Sequence, residues 1–332
     1  METLIIGLSA FGVSVLSPVA LIPVLRRYKI IDFPGDRSSH SLPIIRGVGL
    51  GPALGVLAAW GVAAALDRAL PPVGIVFGAC LAVSFIGLIE DIRGLSVEAR
   101  LIGQLAVGAG VGVTSVVLVN GSWWVIPVVA VGFAGYVNAA NFMDGVDSIS
   151  AFHGVVAGGY FCLVGGLAGH LWLQIVGGVC AAVFAGFAPW NLAPRLRVFL
   201  GDVGSYLLGG LVVGCSALVV LGRLGLLVGL APLLPYIADT TFTVIGRALR
   251  GERVTQAHRS HVYQRLTLYG CSHLASGTVV ALATALCCLA ALLAFRGVIS
   301  TAIAVAFVAI VLAAYLALPH LITIRGSTRT YA

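Results

Sequence analysis

Apolar runs of membrane-crossing length recur eleven times along this chain, and no other feature restricts its fold as much. A hydrocarbon core about 30 Å thick is crossed by roughly 20 apolar residues of helix. In lipid only helices and closed barrels satisfy every backbone polar group. The runs cover 3–25, 47–66, 70–89, 100–119, 123–140, 151–168, 171–189, 204–221, 224–246, 274–295 and 298–318. Charged residues make up 9% of the chain, against about 25% in soluble domains. The expected fold is therefore all-α, a polytopic transmembrane bundle of about 11 spans forming one membrane domain over residues 1–332.

Charge gives the orientation. Met1-Glu2-Thr3 lacks the basic start of a cleavable signal, and Arg26, Arg27 and Lys29 follow the first apolar run. The N-terminus is expected outside and the C-terminus in the cytoplasm. This layout puts 16 of the 19 basic residues on the inner side, leaving only Arg68, Arg223 and Arg296 outside, as the positive-inside rule demands. Of the 12 acidic residues, only Glu2 and Asp67 fall outside. Orientation does not require carboxylates on the inner face, so their gathering there points to a site. The net charge of +7 follows from inner loops facing anionic lipid, and no nucleic acid is expected.

The seven cysteines show no Cys-x-x-Cys spacing, and all but Cys271 lie within apolar runs. They read as small packing residues rather than a zinc cage or a disulfide framework.

The chemistry-bearing residues sit on five inner segments. The first combines Arg37, His40 and Arg46 with prolines and glycines. Cations beside exposed glycine backbone suit phosphate, and an ordinary basic juxtamembrane loop fits equally well. In the second, Glu90 and Asp91 stand where span three leaves the membrane. They suit a divalent cation or a base, or simply end a helix. The third, NAANFMDGVDSIS, repeats a polar group every three residues through Asn138, Asn141, Asp144 and Asp147, with Gly145 expected to break the helix. Such groups at the end of an apolar helix are costly without partners, which favours a site.

In the fourth segment Asp202 lies between glycines immediately before an apolar run. It is either an N-cap or a metal ligand at a helix start suited to anions. The fifth and longest contains His258, Arg259 and His261. Three-residue spacing places the two histidines on one helical face, and oxygen-rich segments elsewhere favour magnesium over zinc. The histidines are accordingly assigned to phosphate contacts. Together the segments hold an inventory for metal-assisted transfer of a phosphoryl-type group. Neither a P-loop nor a Gly-x-Ser-x-Gly elbow is present.

From about Asp32 to Leu266 the chain resembles the polyprenyl-phosphate N-acetylhexosamine-1-phosphate transferases of glycosyltransferase family 4. The likeness is carried by NAANFMDGVDS, FLGDVGSYLLG and AHRSHVYQRL, in the family's order. It implies an enzyme that moves N-acetylhexosamine 1-phosphate from a UDP-sugar to undecaprenyl phosphate and releases UMP. The implied cofactor is Mg2+, with Mn2+ as the alternative ion. By this likeness Asp91 handles the lipid phosphate or the metal, and Asn141, Asp144 and Asp147 belong to the nucleotide and catalytic region. Asp202 is the implied magnesium ligand, while His258 and His261 contact the donor's phosphates.

Two departures matter. Glu90 stands where the family's acidic pair has its first aspartate, and HRSH followed by Val262-Tyr263-Gln264 replaces a run ending in paired histidines. The second departure resembles the branch that starts O-antigen and lipopolysaccharide synthesis, and differs from the muramoyl-pentapeptide branch. The likeness also implies a multi-pass protein of the bacterial cytoplasmic (inner) membrane with its active site on the cytoplasmic face, and admits a homodimer. The competing functions are a transporter of lipid-linked or anionic solutes, and a scaffold without catalysis.

Overall fold

The computed structural model describes residues 1–32, 44–193, 196, 198–253 and 259–328. It is an all-helical bundle: α1 (Glu2–Arg27), α2 (Leu50–Ala65), α3 (Pro71–Arg93), α4 (Val97–Val119), α5 (Val125–Met143), α6 (Ile149–Ala168), α7 (Leu171–Asn191) and α8 (Gly201–Leu221) come first. They are followed by α9 (Leu226–Leu230), a 3-10 turn (Ala231–Leu233), α10 (Leu234–Leu249), α11 (Val262–Leu268), α12 (His273–Phe295) and α13 (Thr301–Thr328). Among the described residues, ten helical segments are long and apolar enough to cross a bilayer. The run at 47–66 becomes the 16-residue α2, roughly 24 Å long and so short for a full crossing.

Local chemistry sets the ends. Ser96 and Ser272 cap α4 and α12 by accepting from Ala99 N at 3.2 Å and Ala275 N at 3.1 Å. The run at 224–246 is not one continuous helix. Pro232 and Pro235 lack the N–H groups that a continuous ladder needs, and the chain passes through the 3-10 turn between α9 and α10. The helix before Gly145 ends earlier than the glycine signal suggests, at Met143, with Asp144 as its C-cap (φ −85°, ψ 49°).

Helix α8 is the axis of the bundle. Every residue from Gly201 to Ser216 is buried, with α3, α5 and α7 packed around it. A single hydrophobic cluster extends from Ile6 on α1 to Tyr315 on α13.

At one end the backbone leaves helical geometry. Strands β1 (Ile31–Asp32) and β2 (Ile44–Ile45) pair antiparallel, and Ile45 forms a parallel bridge to Val198. Val48 N and Gly49 N donate to Phe199 O and Leu200 O at 3.1 and 2.9 Å. Irregular backbone inside a membrane bundle is stable only where protein covers it, and Ile44, Ile45, Val48 and Val198 are buried. These bonds fasten the first polar segment to the fourth.

Candidate active site

Four of the five polar segments meet at the start of α8. Asp202 lies in its first turn. Arg46, from the segment before α2, places Nε 2.6 Å from Asp91 Oδ1 and Nη2 2.8 Å from Asp202 Oδ1. Asp91, in the last turn of α3, accepts from Asp202 N and Val203 N, each at 3.0 Å. Its carboxylate therefore caps α8, a role matched to the free N–H groups and partial positive charge of a helix start. Asn141, near the end of α5, donates from Nδ2 to Asp202 Oδ1 at 3.0 Å and to Ser205 Oγ at 3.1 Å. Arg100 of α4 lies 3.4 Å from Glu90 Oε1 and 3.8 Å from Asp202 Oδ2, and Leu95 N donates to Glu90 Oε2.

This convergence requires Gly201. Its φ is +73°, and a Cβ there would lie 2.6 Å from Asp91 Oδ2. A side chain would face both the left-handed backbone penalty and a collision with the capping carboxylate.

Asp144 sits beside this group. Ser150 Oγ donates to its Oδ1 at 2.6 Å. Burial pushes its carboxyl up to about 8, the Ser150 bond works against that, and the charges of Asp202, Asp147 and Asp91 add to the rise. The other members of the third segment have separate partners. Asn138 donates to Gln104 Oε1 and, at 2.8 Å, to Ala134 O. Asp147 pairs with His273 Nδ1 at 2.9 Å.

The fifth segment docks alongside. Tyr263 Oη donates to Phe142 O at 2.8 Å, which sets α11 against the end of α5. His261 is buried, stacks near Phe142 and Tyr263, and places Nδ1 3.0 Å from Asp239 Oδ1. Arg259, two residues earlier in the chain, is partly buried. Arg37, His40 and His258 lie outside the described residues.

Among the described residues no group of three or more His, Cys, Asp or Glu side chains is arranged to hold a metal. Asp202 shares its surroundings with the guanidinium groups of Arg46 and Arg100 and the amide of Asn141, and its own ligand atoms are hard carboxylate oxygens of the kind magnesium takes together with water and substrate phosphate. Of the two residues read as metal ligands, Asp91 has both oxygens engaged by backbone N–H groups. Asp202 Oδ2 faces only the longer contact to Arg100 among its ion pairs. Asp202 therefore fits the ion better.

Sequence reasoning did not single out Arg100, Gln104, Ser150, Ser205, His273 or Tyr315. Arg100 and Gln104 carried a signal, since they are polar residues one helical turn apart at the start of an apolar run. Ser150, Ser205, His273 and Tyr315 are chemically unremarkable until their partners are known.

A model described as glycosyl transferase family 4 matches residues 73–220. The chain is 27% identical over 292 residues to a Bacillus subtilis protein named probable undecaprenyl-phosphate N-acetylglucosaminyl 1-phosphate transferase, covering 82% of this chain and 80% of that one. It is 27% identical over 321 residues to a Mycobacterium leprae decaprenyl-phosphate N-acetylglucosaminephosphotransferase, with 82% and 78% coverage. A phospho-N-acetylmuramoyl-pentapeptide-transferase of Halalkalibacterium halodurans is 26% identical over 188 residues, 52% of this chain and 57% of that protein.

Proposed function

We propose that this chain, which belongs to glycosyl transferase family 4, transfers N-acetylhexosamine 1-phosphate from a UDP-sugar to undecaprenyl phosphate. The observation that carries this reading is the meeting of Arg46, Asp91, Asn141 and Asp202 at one end of a membrane bundle. A water-soluble diphosphate and a lipid phosphate can meet only at such a boundary. The names of the relatives supply the polyprenyl-phosphate acceptor and the hexosamine.

The reaction balances without a further reactant. An oxygen of the lipid phosphate attacks the sugar-bearing β-phosphorus. The bond from that phosphorus to the oxygen bridging it to the α-phosphorus breaks, and UMP leaves with the electron pair. The product is undecaprenyl-diphosphate-sugar. Arg46 and Arg100 offset charge on the non-bridging oxygens. Asp91 holds the start of α8 and thereby fixes Asp202. Asn141 orients Asp202 through Oδ1. Asp144, titrating near neutral pH, is the group suited to hold or release a proton beside the reacting phosphates. Asp202 would hold Mg2+, or Mn2+, which would neutralise charge on the donor's diphosphate.

We place this end of the bundle on the cytoplasmic face of a bacterial inner membrane, because the basic residues gather there. The proposed role is initiation of a cell-surface polysaccharide. The relatives' names speak of N-acetylglucosamine and muramoyl-pentapeptide chemistry rather than of O-antigen or lipopolysaccharide.

The test is UMP release by purified protein supplied with undecaprenyl phosphate and a panel of UDP-N-acetylhexosamines. Release that needs the lipid, and is abolished in Asp202→Asn and Asp144→Asn proteins that remain folded, is expected. Absence of lipid-dependent release across the panel would overturn the proposal.

A further inference from the structure

The last two helices carry none of the sequence motifs, yet a side chain from α13 reaches the histidine segment. We propose that Tyr315 is a positioning residue for donor binding: it clamps Asp239, which in turn fixes His261 and the start of α11.

Asp239 lies on α10 with its side chain fully buried. Tyr315 Oη donates to Oδ2 at 2.6 Å. On Oδ1 it meets His261 Nδ1 at 3.0 Å and Thr243 Oγ1 at 3.3 Å. Val262 N donates across both oxygens at 3.1 and 3.2 Å. A carboxylate shut away from water is tolerable only when its lone pairs are filled by donors. The short Tyr315 bond fixes the rotation of the carboxylate, and that rotation decides where Oδ1 points. Oδ1 in turn sets the plane of the His261 ring and engages the first N–H of α11. When Nδ1 carries the proton towards Asp239, Nε2 is directed to the opposite side of the ring. A second contact, Arg265 Nη1 to His320 Nε2 at 3.4 Å, also joins α11 to α13. The chain thus brings a residue 54 positions downstream to bear on one histidine.

This inference rests on the reading above, in which His261 meets the phosphates of the UDP-sugar. A purely structural Tyr315 would hold α13 to the bundle and leave substrate affinity alone. The two are separated by kinetics of the full-length protein in detergent. Tyr315→Phe keeps the ring and removes one hydroxyl. It is expected to raise KM for the UDP-sugar about tenfold, the worth of one hydrogen bond to a charged group, with KM for the lipid phosphate unchanged. In a His261→Asn background the same change should add no further rise, because coupled residues are not additive. A changed thermal midpoint with unaltered KM, or an equal effect in both backgrounds, overturns the proposal. Should His261→Asn alone leave donor KM unchanged, the assignment of His261 to the donor fails instead. The clamp is then read by amide hydrogen exchange at Val262: acceleration in Tyr315→Phe supports it, and unchanged exchange sinks it.

Discussion

Asp91 caps the helix whose first turn holds Asp202. Its Oδ1 takes the N–H of Asp202 and its Oδ2 the N–H of Val203, both at 3.0 Å, across 111 and 112 residues of sequence. The two aspartates therefore have different tasks in one cluster. One holds a helix start, and the other, in the proposed reaction, holds the metal ion. Asparagine substitutions should separate them. Asp91→Asn replaces an acceptor oxygen by an amide facing an N–H, and should cost about 1–2 kcal/mol of stability, the usual worth of a cap, together with activity. Asp202→Asn should lose activity with little change in thermal midpoint. Thermal unfolding and UMP release measured on both variants check this; equal midpoints would remove the distinction.

Arg46 ties the first polar segment to both carboxylates. Its planar guanidinium serves two acceptors at once, which a lysine ammonium on a flexible stem does not reproduce. Arg46→Lys is expected to lower kcat at least tenfold and destabilise the protein by about 1 kcal/mol, since the side chain is a third exposed and water compensates in part. Steady-state kinetics with an unfolding scan would show it. A fully active lysine variant would mean that the bridge is dispensable.

Gly201 should tolerate no side chain. Gly201→Ala meets the left-handed penalty of about 1–2 kcal/mol and also drives a methyl towards Asp91. Activity should fall more than tenfold. Gly135, with open space around its Cα, provides the control, and Gly135→Ala should be neutral or slightly stabilising in the same assays.

Asp144 makes stability depend on pH in an unusual direction. Its carboxyl is raised from an ordinary 3.8 to about 8 in the folded protein, first by burial. The folded state then binds its proton more tightly than the unfolded state. The contribution to stability is complete below about pH 4 and is lost as pH climbs towards 8. The thermal midpoint of the ligand-free protein should therefore fall between pH 5 and 8, and Asp144→Asn should flatten that slope. An identical slope in both proteins would contradict the assignment.

The sequence made the spans legible because crossing a bilayer is a local demand, met by any sufficiently long apolar run. Each of the eleven runs found in it corresponds to helix in the bundle, although α2 is short and the run at 224–246 is interrupted at Pro232 and Pro235. Of the polar residues read from it, Arg46, Glu90, Asp91, Asn141 and Asp202 do come together. What it did not disclose is how each is used. The spacing Asn138, Asn141, Asp144, Asp147 looks like one series, yet these side chains answer to Gln104, Asp202, Ser150 and His273 respectively. Those partners sit on α4, α8, α6 and α12, and nothing in a ten-residue pattern encodes them.

The sequence alone determined that this chain is a bundle of membrane helices with polar residues collected between them, because hydrophobic length and charge act residue by residue. Tertiary structure alone decided that Asp91 is a cap, that Gly201 must lack a side chain, and that Tyr315 reaches Asp239. Those facts depend on which helix faces which. That choice is made by the packing of α8 against its neighbours, where one buried carboxylate must find its donors far along the chain or remain unpaired at high cost.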